Sequence, residues 1–342
     1  MIKISDKDKG NVQGLSFIDL FAGIGGFRYA FESFGCKCVF SSEWDKESQR
    51  TYFDNFGEIP KGVITKIDEK EIFPHNILVG GFPCQAFSIS GKRMGFQDTR
   101  GTLFFDIARI VDHHKPEILV LENVKNIVRH EEGKTLITIL QTLKEIGYTV
   151  FHKVLSASDY GLPQSRERIF FVGFRSDLNI VDFSFPNPSD IPISLNDIFQ
   201  PDSEIPSECY IQRDDISLYG SNLLKENLFS ISPNRPIQIG IINHGGQGER
   251  IYDPKGHAIT LSAYGGGPGG KTGAYYINGK IRKLTPRECA RVQGFPETFI
   301  LHPSRARCYT QFGNSVPINV LQFILIQINA TLKRMSINIT PR

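Results

Sequence analysis

The 342-residue sequence predicts a doubly wound α/β domain joined to a smaller β-rich domain. Short apolar strands alternate with amphipathic helices over the first half, the pattern of a parallel sheet covered on both faces. A glycine-rich turn follows the first strand directly and opens a helix. After Phe185-Pro186-Asn187-Pro188 the periodicity fades, and turn residues dominate to about residue 285.

Taken in order, Phe17–Leu20, Cys38–Ser41, Ile77–Val79, Ile118–Leu121, Val150–Leu155 and Ile169–Phe174 read as strands. Helices are predicted near Arg28–Phe34, Thr102–His113 and Thr135–Ile146, where apolar residues recur at helical spacing. Ala258–Ser262 and Ala274–Ile277 alternate like strands beside two glycine-dense segments, Asn243–Arg250 and Ala263–Lys271. Those segments read as displayed loops or as flexible linkers. Val320–Ile328 reads as a final apolar helix returning to the large domain.

Composition narrows the class. Apolar residues make up 40% and charged residues 22%, as in an ordinary globular protein. No apolar run approaches a membrane span, and the charged N-terminus lacks a signal region; the expectation is a cytoplasmic protein. Six cysteines in this length do not suggest a disulfide framework. Cys36 and Cys38 lack a second ligand pair, so no metal is expected. The net charge of +3 is modest, but seven basic against two acidic residues from Pro286 onward could face phosphates or simply solvent.

Four constellations carry chemistry. In Asp19–Gly26 a strand runs into a glycine-rich turn suited to a nucleotide-like ligand. Arg28 stands where a dinucleotide fingerprint wants its third glycine, which weakens that reading. Glu43 then suits ribose hydroxyls, and Trp44, the only tryptophan, suits stacking on adenine or a place in the core. Gly81-Phe82-Pro83-Cys84-Gln85 aims one thiol out of a strand end, as a nucleophile would be, and the loop Ser88–Thr102 has a lid's composition. Glu122-Asn123-Val124 places a carboxyl after a strand, ready to act as an acid, or Asn123 caps a helix. In Gln164-Ser165-Arg166-Glu167-Arg168, extended chain puts Gln164, Arg166 and Arg168 on one face, where two guanidiniums could hold a carbonyl oxygen and phosphates or form a solvated charge run.

In this order these elements resemble the cytosine-5 DNA methyltransferases. The likeness runs from Phe17 to about Ile328 and includes Arg287–Pro296 and Gln311-Phe312-Gly313-Asn314-Ser315-Val316-Pro317. The resemblance implies a Rossmann-like, S-adenosylmethionine-dependent catalytic domain over 1–195. A target-recognition domain follows over 196–285, and a hinge with the returning helix over 286–342. It implies cofactor contacts at Phe21, Ala22, Gly23, Ile24, Gly25, Gly26, Glu43, Trp44, Ile64, Pro83, Leu103 and Asn314. It assigns attack on cytosine C6 to Cys84, contact with N3 and the exocyclic amine to Glu122, and O2 to Arg168, with Arg166 and Gln164 alongside. The target base must leave the duplex; Ser90 and Gln247 would fill its space. Arg250, Thr260, Tyr264, Gly265, Gly266 and Gly267 would meet double-stranded DNA, at GCGC or a site sharing its central CG. The family setting further implies a monomer and a restriction endonuclease that shares the site without forming a complex.

One departure is visible. The family usually carries Gly-Asp-Ile-Thr, whose acid accepts from the adenine amine; this chain reads Gly62-Val63-Ile64-Thr65. Other readings are a tRNA methyltransferase, disfavoured by the long recognition region, and a catalytically silent DNA-binding protein on the same fold. An NAD oxidoreductase is the generic reading of any glycine-rich βα turn.

Overall fold

A computed structural model describes residues 2–83, 103–189, 191, 193–219 and 235–342. Cys84, Ser90 and the Ser88–Thr102 loop therefore lie outside the described residues. The chain forms two compact units: Ile2–Leu155 with Glu167–Asn187 and Leu321–Arg342, and Ser156–Arg166 with Pro188–Val320.

The first unit is built on a six-stranded sheet. Its strands are β1 (Ser16–Leu20), β2 (Lys37–Ser42), β3 (Ile77–Gly81), β4 (Ile118–Val124), β5 (Tyr148–Ser156) and β6 (Glu167–Arg175), in spatial order β2-β1-β3-β4-β6-β5. β1 pairs in parallel with both β2 and β3, and β3 with β4. The order reverses at β1, so the ligand crevice of such a sheet opens beyond the carboxyl ends of β1 and β3. The parallel expectation fails at β6, which runs antiparallel to β4. The link 157–166 holds one 3₁₀ turn and no crossover helix, and a parallel connection needs a longer one.

Helices cover the sheet. α1 is Gly26–Ser33, α2 Lys46–Phe56, α3 Leu103–His114 and α4 Lys134–Glu145. Phe104, Ile107 and Val111 of α3 with Ile139 and Leu143 of α4 join Ile18, Leu78, Leu119 and Phe171 in one core. Phe31 of α1 meets Phe17 with ring centroids 5.4 Å apart. Sequence periodicity missed α2, whose buried residues are only Ser48, Thr51 and Tyr52; Asp45 starts it by accepting from the Ser48 N–H at 3.0 Å.

Below the sheet, His75 is fully buried against His114, ring centroids 4.8 Å apart, beside the Arg342 guanidinium. Its Nδ1 meets the Phe73 carbonyl, and Nε2 has no hydrogen-bond partner among the described residues. Burial pushes its pKa down to about 3. The folded chain thus binds fewer protons than the unfolded chain, so stability is complete above pH 6.5 and is lost as pH falls from there toward 3. The slope is about 1.4 kcal/mol per pH unit. Urea midpoints at pH 7.5 and 5.5 should show a drop in wild type that is smaller in His75→Gln; equal drops would remove His75 as the cause.

The second unit holds a five-stranded sheet of β7 (Ile216–Leu218), β8 (Ile237–Ile242), β9 (Arg250–Asp253), β10 (Ala274–Ile277) and β11 (Lys280–Arg282), ordered β11-β10-β9-β8-β7. Ile237, Ile239, Ile242, Ile251, Ala274 and Ile281 form its core. Ala258–Ser262, read as a strand, makes only an isolated bridge from Ala258 to Gln164. Backbone takes the N–H groups at its two ends, Ala258 to Pro163 and Ser262 to Lys271, and side chains take two of those between: the Gln164 Oε1 accepts the Leu261 N–H, and the Tyr275 hydroxyl accepts that of Ile259. α5 (Pro286–Val292), α6 (Arg305–Asn314) and the start of α7 (Ile318–Arg334) follow. Arg305–Arg334 has the length and apolarity of a membrane span, against expectation, but most of it is buried and Ser315–Pro317 break it.

Candidate active site

In the first unit, the predicted cofactor residues gather where β1 ends. Phe21 takes a left-handed φ of 57°, and Gly23 and Gly25 have φ of 54° and 85°. An added Cβ at Gly25 would run into the Phe56 ring, whereas one at Gly23 meets open space. The turn is therefore packed from below and free above. Arg28 occupies the missing-glycine position because it stacks 4.6 Å from the Phe56 centroid and donates to Glu58 at 3.0 Å.

Glu43 sits at the end of β2, its Oε2 accepting the Gly23 N–H at 2.9 Å and its Oε1 that of Asp45 at 2.8 Å. Burial raises its pKa, partly offset by those N–H groups. Each carboxylate oxygen keeps a second lone pair for a ligand hydroxyl. Trp44 beside it is 70% exposed, which removes the core reading. Ile64 is buried at the start of a 3₁₀ turn, Leu103 opens α3, and Pro83 is exposed beyond β3. An exposed indole, a buried acid and an open glycine turn fit an adenosyl group. Asp19 was missed. It lies wholly buried in β1, with both oxygens unpartnered among the described residues and its pKa pushed well up by desolvation. An acid inside an apolar strand was its only signal.

Glu122 and Asn123 belong to β4 itself rather than to a turn after it. Glu122 faces Phe170 across the antiparallel ladder and Val124 faces Arg168, so Arg168 is the diagonal neighbour of Glu122 on the same face. Their side chains meet at 3.0 Å between Arg168 Nε and Glu122 Oε1, and both are largely buried. Asn123 does not cap a helix. Its Nδ2 donates to the Phe82 carbonyl at 2.8 Å, which ties β4 to the chain one residue before Pro83. Cys84 itself falls outside the described residues.

Gln164 and Arg166 do not share an extended face with Arg168. Bonds from Gln164 N to Leu162 O and from Arg166 N to Gln164 O fold the chain there, and the strand begins only at Glu167. Both side chains are buried within the second unit. Arg166 donates to the carbonyls of Leu261 and Gly313 at 3.1 Å and of Ser315 at 2.6 Å. Gln164 also donates to the Val292 carbonyl, and the Thr260 hydroxyl donates to that of Ser165. Asn314 is exposed at the end of α6, between two carbonyls that Arg166 holds. Gln247, Arg250 and Tyr264 are exposed, Tyr264 to 85%, with Gln247 and Tyr264 on loops of the same unit and Arg250 at the start of β9.

A doubly wound sheet, an open glycine turn with a buried acid and an exposed indole beside it, and an acid–guanidinium pair at neighbouring strand ends define a group-transfer enzyme of the Rossmann-like kind. Residues 15–330 match the C-5 cytosine-specific DNA methylase family, and the chain belongs to it. It is 53% identical to the type II methyltransferase M.HhaI of Haemophilus parahaemolyticus over 97% of this chain and 98% of that protein. M.HpaII of Haemophilus parainfluenzae is 42% identical over 90% and 87%. Two solved structures share the fold. One is a putative DNA modification methyltransferase of an Escherichia coli prophage, with TM-score 0.67 and 23% identity over 94% of this chain and all of that one. The other is Schizosaccharomyces pombe Dnmt2, with TM-score 0.64 and 18% identity over 94% and 99%. The chain is thus a DNA (cytosine-5)-methyltransferase of the type II restriction–modification kind, with S-adenosylmethionine as its cofactor.

Proposed function

We propose that this enzyme methylates C5 of a flipped-out cytosine in duplex DNA at GCGC, or at a site sharing its central CG. The observation that carries the chemistry is the Glu122–Arg168 pair at 3.0 Å, with Glu122 on β4, the neighbour of the β3 strand that leads toward Cys84, and Arg168 on β6 beside β4. Cys84 attacks C6, and its electron pair makes C5 nucleophilic. Glu122 meets N3 and the exocyclic amine as charge develops there, and Arg168 holds O2. After transfer the C5 proton leaves to a base, the C5–C6 double bond reforms and Cys84 departs as thiolate. The bound cofactor supplies an electrophilic methyl group. Phe21–Gly26, Glu43, Trp44, Ile64, Pro83, Leu103 and Asn314 would hold it.

The domain reading 1–195, 196–285 and 286–342 assigns base recognition to Gln247, Arg250, Thr260, Tyr264 and Gly265–Gly267, with Ser90 beside the vacated space. Arg250 has the donors for guanine O6 and N7. Gln164 and Arg166 serve as positioning residues, since their polar groups are engaged with backbone. We further propose a cytoplasmic monomer that shares its site with a restriction endonuclease without binding it.

Labelled methyl transfer onto duplexes tests the site. GCGC should be modified, a duplex with its CG destroyed should not, and tRNA should take no label. Modification outside any CG would overturn the target.

Val63 bears on the cofactor. It precedes the 3₁₀ turn Ile64–Lys66 and makes no side-chain cap. Val63→Asp adds an acceptor for the adenine amine, worth about 1 kcal/mol or roughly fivefold tighter binding. Calorimetric titration with S-adenosylhomocysteine reads this; an unchanged Kd would remove Val63 from the adenine pocket.

A further inference from the structure

The glycine-dense segments of the second unit show an arrangement that composition does not reveal. The turn that joins β8 to β9, Asn243–Glu249, and the loop that precedes β10, Tyr264–Gly273, press backbone against backbone. The Gly269 N–H donates to the Gly248 carbonyl at 2.7 Å. A Cβ added at Gly269 would lie 2.8 Å from that same carbonyl oxygen, and one at Gly267 would lie 2.9 Å from the Gln247 carbonyl. A Cβ at Gly248 would overlap the Gly266 carbonyl outright, and one at Gly265 would sit 2.6 Å from the Gly270 carbonyl. Real Cβ atoms do not approach backbone oxygens so closely. Gly248 and Gly267 also have φ of 78°. The first turn is further fixed from within, since the Glu249 carboxylate accepts the Gly246 N–H at 2.9 Å and Asn243 Nδ2 at 3.2 Å.

Gly248, Gly267 and Gly269 thus serve the contact between the loops, and Gly265 a close approach within its own loop. Gly266 differs, because a Cβ there meets open space. What the doubled loop and the adjoining first residue of β9 display is chemically mixed: an amide at Gln247, a guanidinium at Arg250 and a phenol ring at Tyr264, all exposed. These groups can read base edges and stack on bases. Hydrogen-bond reading depends on placement to a fraction of an ångström, so a loop pair that yields would read poorly.

We propose that Gly248, Gly267 and Gly269 lock the two loops into one preformed reading head, which makes them specificity-determining positioning residues. The inference rests on the DNA-reading role proposed above. It holds that Gln247 on one loop and Tyr264 on the other keep a fixed separation before DNA arrives, so a fault in either loop degrades reading by both. The glycines are there for each other more than for a close approach of the DNA backbone.

Two measurements test this. Amide hydrogen exchange on the DNA-free enzyme should show the Gly269 N–H strongly protected; exchange at the free-peptide rate would overturn the lock whatever the enzyme methylates. Steady-state methylation then compares a preferred duplex with single-base variants. Gly269→Ala keeps an ordinary backbone angle and crowds the Gly248 carbonyl together with the Gly273–Ala274 backbone at 2.9–3.0 Å, so it should lower the ratio of kcat/KM values by about tenfold or more while leaving the Kd for S-adenosylhomocysteine unchanged. Gly248→Ala should do the same more severely. If it fails to fold, Gly269→Ala and the exchange measurement still decide. Gly266→Ala should cost less discrimination than Gly269→Ala. The reverse ranking, with Gly266→Ala the more damaging, would show that the glycines serve direct approach of DNA and would overturn the proposal. Absence of methylation by wild type would count against the proposed function and leave the exchange result standing on its own.

Discussion

Cys84→Ser is expected to abolish methyl transfer, with a fall on the order of 10⁴-fold or more, while DNA and cofactor still bind. C5 of cytosine is a poor nucleophile until C6 is attacked, so the covalent step cannot be bypassed by good positioning. A thiol near pKa 8.5 holds a useful thiolate fraction at neutral pH; a serine hydroxyl holds almost none. Glu122→Gln should cost less, about 10²- to 10³-fold, because the amide retains a contact with the base but cannot exchange a proton with N3. It also strips Arg168 of the carboxylate it meets at 3.0 Å, so the guanidinium faces O2 without its counter-charge. Labelled methyl incorporation beside gel shifts on the same duplex separates chemistry from binding. Substantial turnover by Cys84→Ser would remove Cys84 as the nucleophile, and wild-type turnover by Glu122→Gln would remove the proton role.

Glu288→Ala should destabilise the second unit by about 3–5 kcal/mol. Arg282 and Glu288 form a two-pronged pair at 2.7 and 2.8 Å, with side chains only 1% and 0% exposed. The carboxylate also accepts the N–H groups of Thr285 at 2.8 Å and Gln200 at 3.0 Å. Arg282 stacks 5.1 Å from the Phe199 centroid. Truncation at Glu288 therefore orphans a buried guanidinium and two backbone donors at once. The double variant Arg282→Met, Glu288→Leu should recover part of the loss, since the desolvation cost goes with the charges. Urea melts report this, and a loss below about 1 kcal/mol for Glu288→Ala would mean that water replaces the carboxylate.

The first half of the fold was legible because its strands are continuous apolar runs bounded by turn residues. β1 to β6 differ from their sequence readings by at most two residues at either end, except β4, which runs three residues further, to Val124. α2 was not, since a polar helix with one buried aromatic residue carries almost no period. The reversal of β6 depends on a short link that no periodicity records. The placement of Glu43 at the glycine turn, of Trp44 in the open and of Glu122 near a strand end was legible from motifs. Motif spacing misled at Gln164 and Arg166, where alternation implied a shared face and the fold instead spends both side chains on distant backbone. Tertiary partners 95 to 149 residues away decided that outcome. His75 and Arg282–Glu288 gave no sequence signal, because burial of a polar side chain is a property of what packs over it. The glycines were visible, but their reason was each other.

Trp44 has a practical corollary. It is the sole indole in the chain, stands 70% exposed, and lies beside Glu43 at the mouth of the glycine turn. If Trp44 stacks on the cofactor as proposed, its emission is a built-in, label-free optical gauge of the adenosyl pocket, separable from the tyrosines by red-edge excitation. Occupancy can be followed in real time on the unmodified enzyme, and stopped-flow mixing can time cofactor arrival against DNA arrival.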